Sequence, residues 1–294
     1  MGSNGCGLNL TKASLNGILK YPWQYGSNPE IPDKWGAYDS EKDVFEWARE
    51  LGPEPLAKCI EAELMDWADD VTYSVHDVDD FFRAGVIPID RLVVDADERA
   101  RFYEEVFRRR KGRLPRDLNE TYLRGAFDGL ISKLPIRKAY SPTQDERIRL
   151  RSVTSTLIGD FVKAVSIETS ASAPRVKIQL KQSAEVFMLK QLTWHYVIKN
   201  PALATQQHGQ IKIIDILFQS FYDAATAMQP NPDLFPISVR ELLPQLPAKT
   251  ENDRNLLTRL ILDFIAGLTE EQAVALAHRI SGIALGSSLA NKVR

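Results

Sequence analysis

The sequence has little cysteine. Cys6 and Cys59 are the only two in 294 residues. Two thiols without a CxxC spacing build no disulfide framework, and they suit a reducing compartment, so the chain is expected in the cytoplasm. Histidine is also scarce, at four: His76, His195, His208 and His278. No apolar run reaches the roughly 18 residues that cross a bilayer, so no membrane partner is expected. The opening MGSNGCGLNL has neither a basic nor an apolar segment and does not read as a signal peptide. It also has Cys6 where the myristoylation pattern wants Ser or Thr. Net charge is −2, which provides no bulk pull toward nucleic acid or anionic lipid. No period suggests a solenoid. What remains is ordinary for a globular chain of one large domain or two small ones, with 44% hydrophobic and 26% charged residues.

One run stands out, Glu61 to Asp80: EAELMDWADDVTYSVHDVDD. Leu64, Trp67, Ala68, Val71, Val75 and Val78 recur at the spacings of a buried helical stripe. Asp69, Tyr73 and Asp77 stand at i, i+4 and i+8 and drift only about 80° around the axis, so they share one face. Carboxylates beside a packed stripe suit a divalent metal or proton transfer. They equally suit the wet face of an ordinary amphipathic helix.

The rest of the chain reads as helices. Thr11 caps a short helix that stops before Pro22. A loop rich in aromatics and proline follows to Ser40, which reads as the N-cap of the next helix, with Asp43 at the box position. The central helix is expected from about Pro55 toward Gly85, with a break after Asp77. The stretch from Pro88 to Arg116 ends in Arg108, Arg109, Arg110, Lys111, Arg113 and Arg116, either a solvated helix end or an anion contact. Asn119 to Leu134 is a further helix, and Asp145 to Thr169 another. The latter carries Arg147, Arg149 and Arg151, which suit a polyphosphate or simple pairing with Asp145 and Glu146. Arg175 to Leu180 alternates like a strand with a short partner. Helices resume at Ala184 to Ile198 and about Gly209 to Met228. After a proline-rich linker, Pro230 to Pro247, come Asn252 to Ala266 and Thr269 to Ser281. The fold class is mainly α, with at most a small hairpin.

The central run, IEAELMDWADDVTYSVHDVDD, resembles the last metal-binding segment of the HD-domain deoxynucleoside triphosphate triphosphohydrolases, the bacterial dGTPase-like family. GLNLTKASLNGILKYPW and KWGAYDSEKDVFEWARE resemble the stretches just upstream of it. LRSVTSTLIGDFV, LKQLTWHYVI and RLILDFIAGLTEEQA resemble the family's C-terminal helices. The resemblance implies an N-terminally incomplete HD-type helical bundle: residues 1–135 as the end of the catalytic domain, and 136–294 as a helical region packing on it. It implies hydrolysis of a dNTP to a deoxynucleoside and triphosphate, with a divalent metal (Mn²⁺, Mg²⁺ or a transition metal), and a homo-oligomer. Asp69 matches the family's distant metal aspartate. Tyr73 matches a tyrosine beside the sugar and phosphates, and Asp77 the aspartate at the sugar 3′-hydroxyl. Arg151 lies where relatives place phosphate-facing basic residues.

Two departures follow from the same comparison. Asp70 stands where a vertebrate member with an added SAM domain has a phosphate-contacting lysine, so the phosphates need another partner. The family's first histidine and its His-Asp dyad lie ahead of the GLNLT-like stretch. His76-Asp77 follows Asp69 on the same helix and is not that dyad, and His195 reads as a core or helix-end residue. One of four expected metal ligands is therefore present, and the site is incomplete in this chain. A lone carboxylate neither holds a catalytic metal tightly nor activates its water. Two readings stay open: the C-terminal portion of a dNTP triphosphohydrolase, inactive alone, or a non-catalytic module that binds nucleotides or assembles with a complete subunit.

Overall fold

The computed structural model describes residues 8–115, 117–169, 174–243, 248 and 250–283. The protein is mainly α-helical, and its one sheet among the described residues is a two-stranded hairpin. It divides into two compact units, Met1–Lys199 and Asn200–Arg294. Compactness thus breaks later than residue 135, because the helices on either side of that point pack on one another.

In the first unit, α1 (Lys12–Gly17) is capped by Thr11, whose hydroxyl accepts from the Ser14 N–H. Ser40 does not cap the next helix. It lies inside a 3₁₀ turn, Asp39–Glu41, and the Glu41 carboxylate turns back to accept from the Tyr38 N–H at 3.0 Å. α2 (Lys42–Arg49) follows. The long helix α3 is Ile60–Arg83. Its start is later than Pro55 suggests. Leu56 adopts φ 68°, a left-handed conformation that no helix accommodates, and Arg49 draws in the carbonyls of Pro53, Glu54 and Ala57 at 3.2 Å. The helix also has no break at Asp77. It runs 24 residues and ends at Gly85, where φ is 71°.

Asp95 separates α4 (Ile89–Val94) from α5 (Ala96–Arg109) and caps the latter with its carboxylate. α6 is Glu120–Ser132, capped by Asn119, and α7 is Gln144–Lys163, capped by Thr143. The expected helix to Thr169 stops early. Val165–Glu168 is instead β1, paired antiparallel with β2 (Arg175–Ile178), with Val165 opposite Ile178. The β-branched Val165 and Ile167 favour that extended state. α8 (Leu180–Leu192) runs into a π-helical turn, Thr193–Ile198. α7 and α8 both pack on α3, and α8 also packs on α6. Phe102, Phe127, Leu123, Phe161, Met188 and Leu192 are fully buried in this unit.

The second unit holds α9 (Pro201–Thr226), begun by the Asn200 cap and Pro201, then a 3₁₀ turn Pro232–Leu234 and α10 (Ile237–Arg240). α11 (Glu251–Ala266) and α12 (Glu270–Ile280) follow, each with a capping box, from Thr250 and Thr269. Leu217, Phe221, Phe235, Leu257 and Ile261 form its core. Cys6 and Arg116 lie outside the described residues.

Candidate functional site

α3 buries one side and leaves the other accessible, as its pattern requires. Val71, Val75 and Phe82 are buried, and Leu64, Trp67 and Val78 are partly so. Ala68, placed on the buried stripe by spacing, is exposed instead. Ala62 and Ser74, outside that stripe, are buried. Trp67 is anchored by its indole N–H, which donates to the Phe161 carbonyl of α7 at 3.2 Å.

On the accessible side stand Asp66, Asp69, Asp70, Tyr73 and Asp77. Lys20, from the segment after α1, bridges two of them. Its ammonium lies 2.8 Å from Asp66 Oδ1 and 2.5 Å from Asp69 Oδ2. Lys58 closes on Asp66 from the opposite side. Burial works against the charge of both Lys20 and Asp66, but their mutual contacts prevail. Lys20 is therefore raised above 10.5, and Asp66, held also by Lys58, is lowered below 3.8. From α8, Lys190 reaches Asp70 Oδ1 at 2.7 Å. The cation that Asp70 cannot provide in sequence is thus brought beside it in space. Glu63 accepts the Val176 N–H at 2.9 Å and ties the hairpin to α3.

Tyr73 is 61% exposed and makes no hydrogen bond among the described residues. Asp77 is half-buried. Burial, then the neighbouring Asp80, pushes its carboxyl up, and His76 opposes this weakly. Arg151 is exposed on α7, and no hydrogen bond or ion pair joins it to Asp69, Tyr73 or Asp77. Arg149 pairs with Glu146 at 3.4 Å. Sequence spacing therefore brings Asp69, Tyr73 and Asp77 to one face. Lys20, Lys58 and Lys190 reach the neighbouring carboxylates Asp69, Asp66 and Asp70 from 8 or more residues away, without a local signal.

Two residues of the basic end of α5 pack on other elements: Arg109 lies 3.5 Å over the Trp194 ring, and Arg110 stands over Phe187. Arg108 is exposed and pairs with Glu105 of its own helix. His195 sits edge-on to Phe102 and Tyr196, and burial lowers its pKa. It is a packing residue, distant in role from α3.

No group of three His, Cys, Asp or Glu residues suited to a metal ion occurs among the described residues. Asp69 is one carboxylate, and one of its oxygens already faces an ammonium. These residues alone do not fit a metal centre.

The family profile described as a phosphohydrolase-associated domain matches residues 176–279. A deoxyguanosinetriphosphate triphosphohydrolase-like protein of Streptomyces coelicolor is 33% identical over 94% of this chain and 64% of its own length. A protein of the same description from Corynebacterium efficiens is 32% identical over the same shares. Another from Bifidobacterium longum is 26% identical over 92% of this chain and 57% of its own. The chain thus spans less than two thirds of the length of these curated relatives.

Proposed function

We propose, from a chain that is a relative of the bacterial deoxyguanosinetriphosphate triphosphohydrolase-like proteins over 94% of its length, that it forms part of a dNTP triphosphohydrolase. The reaction is hydrolysis of a dNTP to a deoxynucleoside and inorganic triphosphate. The observation that carries this reading is the single accessible face of α3 on which Asp69, Tyr73 and Asp77 stand. In this proposal Asp69 serves as one ligand of a divalent cation whose other ligands come from outside these residues. Tyr73 and Asp77 line the sugar, and Arg151 serves the phosphates. Association with further copies of the same chain belongs to the reading.

The test is triphosphate release from dGTP with Mn²⁺, followed by ion chromatography. The 294-residue chain alone is expected to release none. A longer protein supplying the remaining ligands is expected to turn over, and Asp69→Ala in it to abolish turnover with an unchanged circular dichroism spectrum. Turnover by the short chain, or wild-type turnover in Asp69→Ala, would overturn the assignment.

The Lys20 bridge favours a second reading, a nucleotide-binding or assembly module without catalysis. A lysine already neutralises the carboxylates that a metal would need. A dNTP-dependent rise in melting temperature, with no turnover in the longer protein, would select it.

A further inference from the structure

A second concavity lies beside α7. It is a pocket of about 520 Å³ between α7, the first turns of α8 and the end of α6. That volume falls in the range of small-molecule sites. Its floor is apolar, with Leu130, Leu134, Val153, Leu157 and Phe161. None of its lining residues belongs to the α3 face.

Two acceptors on α8 look into it, one turn apart. Glu185 is only 4% exposed and makes no hydrogen bond among the described residues. Its one ionic neighbour, Lys181, stands at 3.9 Å, at the limit of contact. Burial pushes the Glu185 carboxyl up, and Lys181 and Lys133 offset this only in part. The side-chain oxygen of Gln182 is buried without a partner. A sealed acceptor without a donor, as the Gln182 oxygen is, is costly, and native structures almost always satisfy it. At the rim, Asp145 and Asp160 have no cation within 4.0 Å among the described residues, whereas Arg149 is held by Glu146. Lys133 is the one cation of the lining without an ion pair among the described residues, so Asp145 and Asp160 leave the open charges negative by one.

We propose that this pocket is a binding site for a small organic cation with a flat apolar body and a forked N–H head, of the amidine or aromatic amine class. The head donates to Glu185 and the Gln182 oxygen, and the ring covers Leu134, Val153 and Leu157. A forked N–H cation meets a carboxylate through two parallel hydrogen bonds, the strongest pairing open to a buried acid. This assignment does not depend on the triphosphohydrolase reading, because the two sites share no residue.

Benzamidine is the probe, with benzamide as its uncharged counterpart. Calorimetric titration of the 294-residue chain is expected to give saturable, one-site binding of benzamidine, about tenfold or more tighter than benzamide. Glu185→Gln is expected to remove that preference. Ser152→Trp, at the accessible rim, is expected to block binding while leaving the fold intact, and it decides the matter should Glu185→Gln not fold. No saturable binding, equal binding of the two compounds, or binding that survives Ser152→Trp would overturn the proposal.

Discussion

Lys20 decides the electrostatics of the α3 face. It sits between Asp66 and Asp69, two carboxylates about one helical turn apart, and so stands where a divalent cation would otherwise be drawn. Its removal is expected to weaken the fold modestly, because the pair is only partly shielded. For Lys20→Met we expect a loss on the order of 1 kcal/mol. The pH dependence has a definite sign. Asp66 is lowered, so its contribution is present above 3.8 and is lost as pH falls through its folded value. Lys20 is raised, so its contribution is present below 10.5 and is lost only as pH rises through its folded value. The melting-temperature gap between wild type and Lys20→Met should be flat from about pH 5 to about pH 9 and shrink on acidification. A gap that persists undiminished at about pH 2 would show that Lys20 acts by packing rather than charge.

At the level of elements, the π-helical turn Thr193–Ile198 is the joint that ties α8 to α5. Widening the helix by one residue per turn swings Tyr196 onto α5. Its hydroxyl there donates to Glu98 Oε1 at 2.7 Å, and its ring stacks on Phe102. Glu98 is nearly buried. Burial would raise its pKa, but Arg101 and the Tyr196 hydroxyl outweigh that and lower it. Tyr196→Phe keeps the ring and deletes the donor. Equilibrium urea unfolding should show a cost of about 1–2 kcal/mol. An unchanged midpoint would mean that Arg101 alone satisfies the carboxylate. The same joint holds one arginine at the end of α5, because Arg109 lies over Trp194 of the turn.

At the scale of the whole molecule, the two compact units have separate cores. All five tryptophans, Trp23, Trp35, Trp47, Trp67 and Trp194, belong to Met1–Lys199. Indole fluorescence therefore reports on that unit alone, while circular dichroism sees both. Leu257 is fully buried in the second unit, and Leu257→Ala should destabilise that unit by about 2–5 kcal/mol. The expected result is an earlier helical melting phase by circular dichroism, with the fluorescence transition unmoved. A parallel shift of both signals would mean that the units unfold as one.

Local physics made much of this protein legible in its sequence. Helix periodicity, the cap at Thr11 and the alternation at Arg175–Ile178 depend on neighbours within a few residues. The shared face of Asp69, Tyr73 and Asp77 follows from helical pitch alone. Where the reading failed, a distant group intervened. Arg49 and the left-handed Leu56 delayed the start of α3, and pairing with β2 turned Val165–Glu168 into a strand. The state of the acidic face was decided only by tertiary structure. Lys20 and Lys190 lie 49 and 120 residues from the aspartates they neutralise, and no local pattern encodes a contact that chain folding alone brings within 3 Å.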